Sequence, residues 1–171
     1  MSGKSWVFLF LIGFVLSCSQ KKEDEELKRL VKAQLQNTHT NEEWFAPTSV
    51  ALEGLTYEQA IWKDSTTNHS IAELTSHIAF WNEMNLRSFK GLEIPDQEIV
   101  NDDTFQTPTE EEWLKTLKRL DSIQTEWEVS VEKSNDIKIK EWSEEIINMS
   151  AHTGYHLGQI VYLRKHKAWW K

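Results

Sequence analysis

Ala151-His152-Thr153-Gly154-Tyr155-His156-Leu157-Gly158-Gln159-Ile160 places two histidines one helical turn apart. On a helix, residues i and i+4 stand one above the other, so both imidazoles can approach one ion from the same side. The stretch runs on into Val161-Tyr162-Leu163-Arg164. It reads as helix despite Gly154 and Gly158, each of which costs about 1 kcal/mol there against alanine. Glycines at such positions let a second backbone, or a substrate, come close. Gln159 falls on the same face, three residues past His156. A polar seam of His152, His156 and Gln159 therefore interrupts what is otherwise an apolar stripe of Trp142, Ile146, Met149, Thr153, Ile160 and Leu163.

Outward from that helix the chain keeps the same period. A brief break at Ser134-Asn135-Asp136 separates it from a helix that starts near Pro108. Proline and the acidic run Glu110-Glu111-Glu112 suit the positive end of a helix dipole, and Trp113, Leu117, Leu120, Ile123 and Trp127 face one way. The short link predicts that these two helices are antiparallel neighbours. Residues 91–107 show no sustained period, and loops of that length in compact domains are often functional. Before them, Ser70 and Glu73 have capping-box spacing and open a helix to Phe89 or Lys90, with the stripe Ile71, Leu74, Ile78, Trp81. His77 lies beside that stripe, three residues after Leu74. Further back come the loop 64–69, a capped turn from Thr56 through Trp62, and a short piece from Pro47 to Gly54. A first helix over residues 25–38 carries Leu27, Leu30, Val31 and Leu35. No repeat and no strand-period run appears. The pattern predicts one all-α domain over residues 25–171, a four-helix bundle.

The first seventeen residues read differently. Lys4 and the apolar run Trp6–Leu16 have the form of a secretory signal, too short for a comfortable membrane span. The run ends in Val15-Leu16-Ser17-Cys18, similar to a bacterial lipoprotein signal with Cys18 as the lipidated residue; an ordinary signal peptide or an uncleaved anchor are the alternatives. Cys18 is the sole cysteine, so the chain has no internal disulfide, thiolate zinc site or cysteine nucleophile in the folded domain. Residues 18–24 are expected as a charged tether. The expected location is the bacterial cell envelope, lipid-anchored and facing the periplasm or the surface. Formal charge is −8 for the whole chain, and 1–17 contribute only Lys4. An acidic exported domain would repel phosphate, which excludes nucleic acid as a partner.

Two helices that each interrupt a buried stripe with imidazole suggest that the imidazoles meet. Neutral imidazole nitrogen suits late first-row divalent ions, and three such ligands leave positions open for water or substrate. Taken singly, each histidine is more simply a satisfied core polar group or a half-exposed one. A zinc-protease reading of the His-x-x-x-His spacing needs glutamate directly after the first histidine, and Thr153 stands there. His39, His69 and His166 read as structural or solvent-exposed, and Trp81 and Tyr155 as pocket-lining groups near the metal. Trp169 and Trp170, flanked by lysines, read either as a membrane-touching tail or as a self-packed one.

Three segments carry a family resemblance in order. Asn68-His69-Ser70-Ile71-Ala72-Glu73-Leu74-Thr75-Ser76-His77-Ile78-Ala79-Phe80-Trp81 resembles the second-helix signature of the DinB/YfiT-like superfamily. His152–Ile160 resembles its fourth-helix signature, and Glu43 to Ala60 the segment leading into the second helix. The resemblance implies a four-helix bundle holding one divalent metal, often nickel or zinc (iron or manganese less often), through one histidine of the second helix and two of the fourth. On this sequence those are His77, His152 and His156. It further implies a metal-dependent enzyme, a hydrolase or thiol-dependent transferase on a small molecule, with Gln159 and Tyr155 as weak catalytic candidates. A non-catalytic metal- or ligand-binding envelope lipoprotein is the alternative. A homodimer is compatible with the aromatic content, with no interface placed.

Overall fold

Capping chemistry decides where the helices begin. The computed structural model describes residues 5–96 and 98–170, of residues 5–20 the backbone alone. The elements are α1 (Ser5–His39), α2 (Thr48–Ala51), α3 (Tyr57–Ala60), α4 (Ile71–Phe89), a 3-10 turn (Asn101–Thr104), α5 (Glu110–Lys133) and α6 (Asp136–His166), with no strand among the described residues. Thr56, Ser70 and Thr109 each accept from the backbone N–H three residues on, and Gln59, Glu73 and Glu112 reach back to complete the box. Pro108 accordingly stands just outside α5, not in its first turn. Asn135 caps α6 by accepting from the N–H of Lys138.

The first helix starts earlier than its apolar period suggests. Residues 18–24 are helical, continuous with the rest of α1. They contain no glycine or proline to stop the helix; Lys21 pairs with Glu25 one turn on at 3.8 Å, and Lys140 of α6 reaches Asp24 at 2.6 Å. The signal-peptide and Cys18 expectations rest on side chains of residues 1–20, which lie outside the described part. Among the described residues no helix is long and apolar enough to cross a membrane.

Four long helices make the bundle, and their order departs from the expectation set by the short link. α1 packs on α5 and α6, and α4 packs on the same two. Consecutive α5 and α6 thus sit across the bundle from each other, not side by side. A two-residue connection constrains the helix ends alone; which faces pack is decided by the apolar stripes, and those of α5 and α6 both turn toward α1 and α4.

The core falls into two apolar clusters. One gathers Ile71, Leu74 and Ile78 of α4 with Trp113, Leu120, Leu157 and Ile160; the other gathers Val31, Leu86, Phe89, Trp127, Ile139 and Ile146. Between them along the helices lie the buried polar groups Asn82, Gln124, Ser150 and Thr153. Asn82 Nδ2 donates to Thr153 Oγ1 at 3.0 Å, and the Trp127 indole donates to the Asn82 carbonyl at 3.1 Å. The α4 stripe therefore turns inward at Asn82, while Trp81 is half-exposed. His39 is buried, with Nδ1 at 2.7 Å from Glu128 and Nε2 at 3.0 Å from Asp121, and it fastens the end of α1 to α5.

At the far end Arg164 holds the short helices in place. Its guanidinium donates to the carbonyls of Val50 (3.2 Å), Ala51 (2.8 Å), Glu53 (2.9 Å) and Trp169 (3.1 Å). Burial pulls its pKa below the ordinary arginine value, with the Glu53 charge opposing. Hydrogen bonds to a charged donor contribute more than neutral ones, and losing this donor strands several acceptors at once. Arg164→Met, which keeps the apolar stem, is expected to cost about 3 kcal/mol. A lowered urea midpoint measures it; an unchanged midpoint would remove this role.

Candidate metal centre

Three imidazoles meet where the sequence places them. The capping box fixes where α4 starts and its apolar stripe which face packs, so that His77, nearly two turns inside, points into the bundle, almost fully buried at 2 % exposure. α6 supplies His152, half-buried, and His156, buried. His77 Nε2 lies 3.0 Å from His152 Nε2, which lies 3.1 Å from His156 Nε2. One ligand atom from each residue fits within 4.8 Å of the other two, and among the described residues no other group of three histidine, cysteine or acidic side chains does so.

The hydrogen bonds around these rings fix where their lone pairs point. Thr104 Oγ1 donates its proton to the Asn101 carbonyl at 2.6 Å, so toward His77 it can only accept. It lies 2.5 Å from His77 Nδ1, which must therefore carry the ring proton and leave Nε2 as an acceptor. Gln159 Oε1 accepts from His156 Nδ1 at 2.6 Å, with the same consequence. Two lone pairs thus converge on His152 Nε2, where a single N–H can donate well to one of them only. A cation answers all three. Three nitrogens each about 2.1 Å from a tetrahedral ion would lie roughly 3.4 Å apart, close to what the imidazoles present. The donor set fits a divalent transition ion.

Electrostatics keep the ligands in the binding form. Burial, then the neighbouring His156, His152 and His69, pushes the His77 pKa down to about 3. Burial also lowers His152, helped by His156. It lowers His156 as well, although the bond to Gln159 pulls the other way. Neutral imidazole is the ligating species, so at neutral pH the three rings are in a form compatible with metal binding.

Thr104 and Phe105 come from the long 91–107 segment, and neither is marked by any period or motif. Only the length of that segment points to it. Phe105 stacks face to face on His77, 3.9 Å between centroids, and on its other face carries His69 at 3.8 Å. Gln159 takes the place read for it on the seam. Tyr155 is 64 % exposed, its ring edge-on to His156 at 5.0 Å and its hydroxyl 3.5 Å from Gln159 Nε2. Trp81 stands edge-on to His77 at 6.5 Å. The two glycines admit no close backbone. A Cβ on Gly154 would meet the Phe45 ring at an ordinary 3.7 Å, and one on Gly158 would meet nothing within 4 Å.

The model of the DinB superfamily matches residues 42–160, well over half of the chain, and the match includes both histidine segments. The protein belongs to the DinB superfamily. Neither a curated protein nor a solved structure matches it. As a DinB protein it is all-helical, and its three neighbouring histidines are compatible with metal binding.

Proposed function

We propose that this DinB protein is a metal-dependent enzyme acting on a small molecule, with His77, His152 and His156 holding one divalent ion, zinc or nickel before iron or manganese. The observation that carries the reading is the convergence of three neutral Nε2 atoms, two of them locked as acceptors by Thr104 and Gln159. An ion so held supplies Lewis acidity, lowering the pKa of a bound water toward about 7 or activating a thiol. Gln159 holds His156 in register and keeps an amide N–H directed toward Tyr155. Phe105 and His77 exclude water on the buried side, and half-exposed His152 marks the side from which substrate arrives.

One feature favours a second reading, a metal- or ligand-binding protein without turnover. Among the described residues no carboxylate joins the triad, and the nearby Glu73 is engaged by the Ser70 N–H, Lys63 and Thr107. Hydrolysis assisted by a separate carboxylate base is thereby disfavoured relative to thiol transfer, in which the thiol comes from a cosubstrate. Metal content of the purified protein, measured beside turnover on esters, amides and thiol acceptors, separates the two. Stoichiometric metal with turnover supports the enzyme, stoichiometric metal without it supports the metal-binding protein, and an absence of metal rejects both of these.

The envelope location and the lipid on Cys18 belong to the same proposal. Palmitate labelling of the full chain in cells is expected to disappear in Cys18→Ala; labelling that survives the substitution would refute the anchor.

A further inference from the structure

Beside the triad a cleft of about 520 Å³ runs between the loop before α4 and the C-terminal half of α6. We infer that this cleft binds a small planar anion, an aromatic carboxylate being the simplest, next to the metal centre. The inference rests on the metal-dependent reading above and adds a substrate class to it.

Three residues of the cleft wall also touch the triad's surroundings. Gln159 accepts from His156, Tyr155 stands edge-on to the same ring, and His69 is joined to His77 through Phe105 in a continuous stack. The three imidazoles themselves stand behind this wall, so a ligand lying in the cleft would have one end against the residues that flank the triad. The volume lies in the range of small-molecule sites.

Charge selects the sign. The chain carries −8, yet none of the residues lining the cleft is acidic. Apart from Gln159 and from Thr66 and Thr67, whose hydroxyls already donate to Asp64, the polar groups they present are the Asn68 amide, the hydroxyls of Tyr155 and Tyr162, and the imidazoles of His69 and His166, all able to donate. A dication held by three neutral imidazoles keeps its whole charge, since no carboxylate ligand offsets it, and so adds positive potential to the cleft that flanks it.

Shape selects the body. Tyr162 and His166, one turn apart on α6, stack in parallel with 6.0 Å between centroids and 9° between planes. Both are exposed, and Leu74 and Leu163 give the wall an apolar component. A flat ring has a surface to lie on, as aromatic pairs prefer offset stacking.

The test titrates the purified full chain, its metal content measured in the same samples, with benzoate, benzyl alcohol and benzylamine, read by ligand-observed NMR. Benzoate is expected to bind about tenfold more tightly than benzylamine, the alcohol falling between. Tyr162→Ala, at an exposed position where folding is not at stake, is expected to weaken benzoate roughly three- to tenfold while metal content stays unchanged. Equal binding of the three probes, no binding of benzoate, or a benzoate affinity indifferent to Tyr162→Ala would each overturn the cleft. The last result, with metal present, would make benzoate a ligand of the ion alone. Metal missing from the wild type would instead reject the reading on which the cleft rests.

Discussion

His77→Ala is expected to leave the protein folded and without stoichiometric metal. His77 is the only one of the three converging imidazoles that comes from α4; without it, the pair on α6 offers two nitrogens on one helix face and nothing from across the bundle. Outer-shell changes around a metal cost about ten- to a hundredfold in affinity, and losing a ligand costs more, so a loss of at least about a hundredfold is expected. Folding should survive, because the substitution removes a buried polar ring whose two nitrogens are engaged only by Thr104 and the other histidines. The small cavity left behind costs on the order of 1–2 kcal/mol. His39→Gln is the control. It disturbs another buried histidine, the one clamped between Asp121 and Glu128, and should lower stability without touching metal content. Equal metal in wild type and His77→Ala after dialysis against a weak chelator would show that the triad is not the site.

The parts of this centre visible in the sequence are those that lie on regular helices. The spacing of His152 and His156, and the seat of His77 beside a capped apolar stripe, follow from 3.6 residues per turn. Gln159 is found in the same way. Thr104 and Phe105 were not legible, because a loop has no period and its path depends on what it packs against. Nothing local to Asn101-Asp102-Asp103-Thr104 says that its hydroxyl will end against an imidazole 27 positions away. Helix order escaped for a related reason. The link at Ser134–Asn135 is short enough for α5 and α6 to be neighbours, yet their faces belong to α1 and α4. Trp81 looked like core by spacing, but the polar layer between the two apolar clusters draws Asn82 inward, where Thr153 and Trp127 engage its side chain and its carbonyl. His39, at a turn-prone end of α1, gives no local sign that two carboxylates of α5 will surround it.

Thr104→Val is expected to weaken metal binding about ten- to a hundredfold although Thr104 touches no metal. Valine matches threonine in shape but cannot accept a hydrogen bond, so the His77 Nδ1–H loses the acceptor that Thr104 gives it in a buried place. The ring can recover by moving its proton to Nε2, toward the other two imidazoles, and in that tautomer it no longer has a lone pair to give an ion. Metal binding must then drive the proton back and strand it, and that cost appears as lost affinity. Thr104→Ser retains the hydroxyl, the acceptor for His77 and the bond to the Asn101 carbonyl; it should restore most of the affinity, which a purely steric role for the methyl group would not allow. Competition with a chelator gives the affinities. Nitrogen chemical shifts of the His77 ring in the metal-free protein report the tautomer directly, expected to be Nδ1–H in the wild type and in Thr104→Ser and to shift toward Nε2–H in Thr104→Val. If Thr104→Val holds metal as tightly as the wild type, the His77 lone pair is oriented by packing against Phe105 alone, and the hydrogen bond from the loop is not what readies the site.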